Sequence, residues 1–133
     1  MFFGWLYDPT SSAIKSRYYD RDGLLKDHYK EGCVKTEFGR SIQVEQRKAL
    51  NYLIQSTTSD LVLEQAIEID NFLKDKKSFI SHIVHDELVI DMSDDERDLV
   101  PDIKDIFANN RLDRFMVNLQ AGQNYYDLKD LKV

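Results

Sequence analysis

Apolar side chains follow a helical spacing through the middle of the chain. Between about Glu45 and Leu73 they recur at intervals of three or four residues, which would bury one side of a helix. The positions expected to be buried are Leu50, Leu53, Ile54, Thr57, Leu61, Ala66, Phe72 and Leu73. The polar run 74–77 should end this element. The pattern therefore predicts one long amphipathic helix.

Two short segments rich in β-branched residues come next. Phe79 to Val84 and Leu88 to Met92 favour strands, so His85, Asp86 and Glu87 would form the connection of a tight hairpin. This connection lacks the Gly, Pro or Asn that a purely structural turn prefers. Carboxylates held against apolar surface need donors or a cation, and their oxygens are ligands that Mg²⁺ accepts. The hairpin is thus a candidate metal site.

Weaker patterns predict elements before the long helix. Residues from about Thr10 to Lys30 are compatible with a helix. The segments Cys33–Thr36 and Ser41–Val44 could pair across Phe38-Gly39-Arg40 as a hairpin.

Other patterns predict elements after the acidic hairpin. Ser93, with Glu96 three positions later, fits a capping box at the start of a helix. That helix could run to about Asn109, and Pro101 could kink or break it. Residues 114–120 are expected to form a closing strand beside the hairpin. Helices on one face of a small antiparallel sheet give an α+β fold.

Bulk properties limit the possible classes. The 133 residues suffice for one domain with a core, and no repeat or linker divides residues 1–133. No apolar run is long enough for a membrane span and no signal-peptide pattern is present, so we expect no membrane partner. The lone Cys33 is compatible with the cytoplasm. A net charge of −6 counts against an autonomous DNA-binding domain.

Four segments together carry a resemblance to the family A DNA polymerases. His85-Asp86-Glu87 between hydrophobic strands resembles motif C of that family. Gly32–Arg40 resembles its short hairpin ending in Gly-Arg, and Arg47–Asp60 is similar to the palm helix that grips primer and template. Met116–Tyr125 is similar to its final strand with a Gly-x-Asn-aromatic closure. The segments occur in the order and spacing of the family.

The start of the chain is similar to the C-terminal half of motif B, the fingers helix that closes over the incoming nucleotide. Residues 1–8 would end that helix and 9–133 would form the C-terminal part of the palm. The basic first half of motif B and the whole of motif A are absent. The resemblance therefore implies the C-terminal subunit of a split, phage-like polymerase, acting in the host cytoplasm. It would need a larger chain that carries motif A, the rest of the fingers and the thumb.

The resemblance implies a role for each residue of the acidic triplet. Asp86 would bind two catalytic Mg²⁺ ions shared with the motif A aspartate of the partner chain. Glu87 would assist close to the metals and the primer terminus, and His85 would contact the primer backbone. The residue pattern alone leaves non-functional alternatives open. Asp86 could belong to a solvated hairpin tip, and the His85 imidazole could be hydrogen-bonded to backbone. His82 lacks further ligands at a spacing suited to zinc.

Arg47, Asn51 and Gln55 are spaced by four and would form one polar stripe on the long helix. Such a stripe is usually a solvated face. The resemblance implies instead that it contacts the minor groove of primer–template DNA, where every base pair offers similar acceptors. Arg40 would either contact the DNA backbone or hold its hairpin in place.

Tyr7 matches the motif B tyrosine that closes the nucleotide pocket, and Phe3 would be a second aromatic on the same helix face. Both are therefore candidates for contact with dNTP. The alternative for Tyr7 is an aromatic that packs the chain terminus. Asp8 and Pro9 follow where the family commonly has Gly, which would end the helix early.

Two rival functions remain open. One is a non-catalytic polymerase remnant that binds primer–template DNA or regulates a polymerase. The other is an independent metal-dependent phosphodiesterase, which is disfavoured because one acidic cluster supplies too few ligands for two metals.

Overall fold

A computed structural model describes residues 20–133, which divide into two compact units after Asp60. Both units contain helix and antiparallel strand, so the predicted α+β class is confirmed. The single partial polymerase domain expected for residues 1–133 stays a prediction. None of the helices within residues 20–133 is long and apolar enough to cross a membrane.

The first helix of this part of the chain, α1, spans Arg21–His28. It begins at Asp20, whose carboxylate accepts a 3.0 Å hydrogen bond from the Gly23 amide. Tyr29 is extended (φ −111°) and its hydroxyl donates to the Val44 carbonyl oxygen at 3.0 Å. The predicted helix end at Lys30 is therefore wrong by two residues, because Tyr29–Lys30 pair as a strand. The predicted start near Thr10 lies outside the described residues.

Three short antiparallel strands follow: β1 (Tyr29–Lys30), β2 (Cys33–Lys35) and β3 (Ser41–Gln43). The β2–β3 pairing confirms the predicted hairpin across Phe38-Gly39-Arg40. The core of this unit consists of Leu25, Val34, Val44, Ala49, Leu50 and Leu53.

The long helix α2 spans Gln46–Leu73, within one residue of the prediction. Leu50, Leu53, Ala66 and Leu73 are buried as predicted, and Thr57, Leu61 and Phe72 are half-buried. The prediction for Ile54 is wrong, because its side chain is 37% exposed. Each residue turns the helix by about 100°, so Ile54 lies at the edge of the face whose buried members are Ala49, Leu50 and Leu53.

In the second unit, β4 (Phe79–Val84) and β5 (Glu87–Asp91) form an antiparallel hairpin, as predicted. Strand β5 begins earlier than expected, so only His85 and Asp86 form the turn. Apolar residues of both strands pack with α2 and the following helix in one cluster. Its buried members are Ile69, Leu73 and Ile103, with Ile80, Leu88, Ile90 and Met92 among those packed around them.

A 3₁₀ helix over Asp94–Leu99 leads into α3, Val100–Ala108, with Pro101 in its first turn. The predicted capping box is wrong. The Ser93 side chain makes no capping bond, and the Glu96 carboxylate bonds elsewhere, to Lys77 and Ser78.

The predicted strand over residues 114–120 is also wrong. The Phe115 amide donates to the Ala108 carbonyl oxygen at 2.9 Å, so the chain stays tied to the end of α3. The last strands are β6 (Gln120–Ala121) and β7 (Lys129–Asp130), which pair with each other.

Candidate functional site

The two turn residues of the β4–β5 hairpin carry the candidate chemistry. Val84 pairs with Glu87, which leaves His85 and Asp86 as a two-residue connection. His85 has φ of 55°, the left-handed region that non-glycine residues rarely adopt. Such a conformation costs about 1–3 kcal/mol and is typical of functional sites. The turn thus keeps a His where Gly would relieve strain.

The side chains of His85, Asp86 and Glu87 are exposed and form no hydrogen bond or ion pair with any described residue. The alternative of an imidazole bonded to backbone therefore finds no support within residues 20–133. Both carboxylates are available to bind an external group.

The carboxylates of Asp86 and Glu87 fit Mg²⁺ as part of a larger set of ligands. The described residues contain no group of three or more His, Cys, Asp or Glu side chains that could hold a metal. Mg²⁺ in phosphoryl-transfer sites, however, is usually held by one or two carboxylates together with waters and substrate phosphates. Asp86 and Glu87 can supply the carboxylates, and the other ligands must come from elsewhere.

The base of the hairpin, at the opposite end from the turn, is closed by Glu96 and Ser78. The Glu96 carboxylate accepts bonds from the Ser78 hydroxyl (2.6 Å) and from the amides of Ser78 (2.8 Å) and Lys77 (2.9 Å). The Ser78 hydroxyl also accepts from the Ser93 amide at 2.9 Å. These bonds, led by that from the Ser78 hydroxyl, lower the pKa of Glu96. No local pattern in the sequence indicates this clasp, because Ser78 and Glu96 are far apart in the chain.

A second contact involves β4 and the C-terminal segment. The rings of His82 and Tyr125 stack with centroids 5.9 Å apart. Tyr125 is the aromatic of the predicted Gly-x-Asn-aromatic closure, and the sequence did not indicate its partner.

The predicted polar stripe lies on α2 in the first unit. Arg47 and Gln55 are exposed and Asn51 is half-buried. The Gln55 amide nitrogen donates to the Asn51 side-chain oxygen at 3.2 Å, and the Arg47 side chain forms no ion pair with a described residue. The Asn51 amide nitrogen, the Gln55 oxygen and the Arg47 guanidinium can therefore reach a ligand.

Arg40 is held by Asp60 of α2. Its guanidinium lies 2.9 Å from one Asp60 oxygen and donates to the other at 3.3 Å, and it also donates to the Ser56 carbonyl oxygen at 3.1 Å. The Thr36 hydroxyl adds a 2.9 Å bond to Asp60. The structure thus shows the hairpin-holding alternative for Arg40, while its DNA contact stays a prediction.

The same hairpin is tied to α1 through His28. One ring nitrogen lies 2.6 Å from a Glu37 carboxylate oxygen, and the other lies 3.0 Å from the Leu24 carbonyl oxygen. Because both partners are acceptors, only the doubly protonated ring satisfies them together. Burial lowers the pKa of His28, but the bond to Glu37, the Leu24 carbonyl and the nearby Asp27 charge outweigh it, and the net pKa is raised.

Tyr7 and Phe3, the candidates for nucleotide contact, lie outside the described residues. A comparison of the chain with sequence models of protein families matches DNA polymerase family A over residues 14–127. No match was found among the curated proteins or among the solved structures.

Proposed function

Because the chain belongs to DNA polymerase family A, we propose that it supplies the motif C carboxylate, Asp86, to template-directed nucleotidyl transfer. Membership of the family supports DNA polymerase function in general. One observation carries the finer proposal. Asp86 is exposed at the end of a hairpin that is closed at its base, and it has no partner among the described residues.

Asp86, with Glu87 beside it, would hold Mg²⁺ together with the motif A aspartate of a larger polymerase chain. When bound, the ions activate the primer 3′-hydroxyl and stabilise the leaving pyrophosphate. His85 would contact the primer backbone next to the metal ligands. The left-handed φ of His85 sets the direction in which the turn presents both side chains.

The stripe on α2 would grip the primer–template duplex from the minor groove. Asn51 and Gln55 orient each other through their mutual bond and keep the Asn51 amide nitrogen as donor and the Gln55 oxygen as acceptor for base edges and sugars. Arg47 would add a charge-assisted contact to the backbone. Residues 20–60 carry equal numbers of acidic and basic side chains, seven of each, whereas residues 61–133 carry sixteen acidic and nine basic ones. The stripe therefore lies in the part of the chain that repels DNA less.

Tyr7 and Phe3 would contact the dNTP, as the end of the fingers helix does in the family. The partner chain would supply motif A, the rest of the fingers and the thumb, and the assembly would act in the host cytoplasm.

Primer extension tests the proposal. The polymerase portion that carries motif A is assayed with and without this chain, and with the Asp86→Ala variant. Asp98→Ala is the matched control, since Asp98 is equally exposed and has no partner among the described residues. We expect extension only with the wild-type chain or the Asp98 variant. Full activity without the chain, or with Asp86→Ala, would exclude the catalytic assignment.

A non-catalytic role is the second candidate, because the exposed polar groups of the stripe on α2 can bind primer–template DNA without any metal. Its distinguishing result is an assembly that binds primer–template DNA but incorporates no nucleotide. Arg47→Gln would still weaken that binding and make it less dependent on salt, because one phosphate contact is lost.

A further inference from the structure

The stacked rings of His82 and Tyr125 join the C-terminal segment to the strand that leads into the His85-Asp86 turn. Their planes make an angle of 25° at a centroid distance of 5.9 Å. We infer that Tyr125 is a positioning residue, which acts through His82 to hold the turn that carries Asp86. The inference rests on the proposed function, because it concerns the same turn.

The hairpin needs support between its base and its tip. Among the described residues β4 pairs with β5 alone, and a two-stranded sheet is marginally stable by itself. The register shifts between Ile80 and His82, so Ser81 is the extra residue of a bulge. A bulge interrupts the ladder and bends the strand. The Glu96 clasp fixes only the part of β4 before this interruption.

The residues beyond the bulge have few other restraints. The side chains of His85, Asp86 and Glu87 form no hydrogen bond or ion pair with a described residue, so the pairing of the two strands and the packing of Leu88 on the core set their position. His82 is the first residue after the bulge and lies about 10 Å along the strand from His85. The Ser81 hydroxyl lies 2.9 Å from Nδ1 of His82, which orients the ring against Tyr125.

Tyr125 is itself held in a rigid turn. A Cβ on Gly122 would lie 2.5 Å from the Asp127 carbonyl oxygen, so only glycine permits this close approach. The Asn124 side-chain oxygen accepts bonds from the amides of Tyr126 (2.9 Å) and Asp127 (3.0 Å). Strands β6 and β7 close the two ends of the turn. The backbone that carries the Tyr125 ring is therefore held by its own local contacts.

The adjacent Tyr126 provides a matched control, because its side chain is 95% exposed and stacks on nothing among the described residues. In the assembled polymerase, Tyr125→Ala should lower kcat on the order of tenfold, because a small displacement of a catalytic group is enough to do so. The KM for dNTP should change little. Tyr125→Phe keeps the ring and should behave as wild type, as should Tyr126→Ala.

A second measurement on the 133-residue chain does not depend on activity. Tyr125→Ala and His82→Ala should each shift the backbone amide resonances of residues 83–86, and the double variant should shift them no further than one single variant does. Tyr126→Ala should leave them in place. If Tyr125→Ala unfolds the chain, Tyr125→Leu, which removes the ring but keeps the bulk, replaces it in both measurements.

The outcomes separate the two proposals. Tyr125→Ala that matches Tyr126→Ala in kcat and in amide resonances overturns the positioning role. If Asp86→Ala retains full extension, the catalytic assignment fails, while the amide resonances still decide whether Tyr125 holds the strand.

Discussion

Two turns of this chain have the same length but differ in their use of glycine and histidine. Glu31-Gly32 joins β1 to β2, and His85-Asp86 joins β4 to β5. In the first turn both residues have positive φ, 53° and 78°, and the second of them is glycine. That is the arrangement which two-residue hairpins prefer. In the second turn the residue with positive φ is a histidine, and no glycine is present.

The surroundings of the two turns differ as well. The unit that contains Glu31-Gly32 ties its side chains together through Asp60, Arg40 and Thr36 and through His28 and Glu37. The side chains of His85 and Asp86 in the second turn, and of Glu87 next to it, have no hydrogen-bond or ion-pair partner among the described residues. The side chain of Glu31 in the first turn is likewise exposed at a left-handed φ and has no hydrogen-bond or ion-pair partner among the described residues. The difference is that the second turn brings a histidine in this conformation together with two neighbouring carboxylates, an arrangement expected of groups that meet a ligand.

Two aspartates give the largest contrast. Asp60→Ala should lower the free energy of unfolding by about 2 kcal/mol, because it leaves the Thr36 hydroxyl without its acceptor and the Arg40 guanidinium without its ion-pair partner. Asp86→Ala should leave the unfolding free energy within about 0.5 kcal/mol of wild type, since its carboxylate contacts no described residue. Urea denaturation of both variants measures the difference. Equal destabilisation by the two substitutions would contradict the distinction between the bonded side chains of the first unit and the exposed ones of the second turn.

Gly32→Ala should destabilise the first turn by about 1 kcal/mol. No atom lies within 4 Å of the added methyl group, so the penalty comes from the backbone conformation alone. Chemical denaturation again measures it, with Lys30→Ala as an exposed control in the same hairpin. No loss of stability would show that the turn tolerates side chains as freely as the second one does.

His85→Gly should change stability in the opposite direction, by up to about 1 kcal/mol in favour of folding. Relief of the left-handed strain exceeds the entropy that glycine adds to the unfolded chain. Primer extension should nevertheless fall, because the contact with the primer backbone is lost. A stability loss comparable to that of Gly32→Ala would mean that the histidine stabilises the turn.

Changes of pH should act on the two units in opposite directions. The pKa of Glu96 is below its ordinary 4.5 in the folded protein, so its contribution is present above pH 4.5 and is lost as the pH falls through the lowered pKa. The pKa of His28 is above its ordinary 6.5, so its contribution is full below pH 6.5 and is lost as the pH rises through the raised pKa. The protection of backbone amides against hydrogen exchange should therefore weaken first at Val34 as the pH rises and at Ile69 as the pH falls. Glu96→Gln and His28→Gln should each flatten one side of this profile.

Local patterns in the sequence predict the elements whose neighbours lie close in the chain. The helical spacing from Leu50 to Leu73 fixes α2 to within one residue, and the β-branched arms around the acidic triplet fix β4 and β5. Hydrogen bonds between residues that are distant in the chain decide the remaining elements. Glu96 leaves its expected cap for three donors of Lys77 and Ser78, and the Ser93 amide bonds to the Ser78 hydroxyl instead. The segment after Arg114 bonds back to α3 and does not extend as a strand.

For the candidate site, the sequence predicts the residues that would bind ligands but not the contacts that hold them in place. The acidic triplet and the stripe of Arg47, Asn51 and Gln55 follow from spacing and family resemblance. The left-handed φ of His85 belongs to a two-residue turn, whereas the sequence pattern predicted a three-residue connection. The closure by Ser78 and the ring of Tyr125 against His82 depend on tertiary contacts that no local pattern encodes.

A change of metal preference tests most directly whether Asp86 is a metal ligand. The substitution is Asp86→Cys in a Cys33→Ser background, assayed by primer extension with Mg²⁺ and with a thiophilic cation such as Cd²⁺. A thiolate binds soft cations in preference to Mg²⁺. We predict a loss on the order of a thousandfold with Mg²⁺, since a metal site contributes several kcal/mol to the transition state, and partial recovery with Cd²⁺. Full activity of the variant with Mg²⁺ would contradict the account.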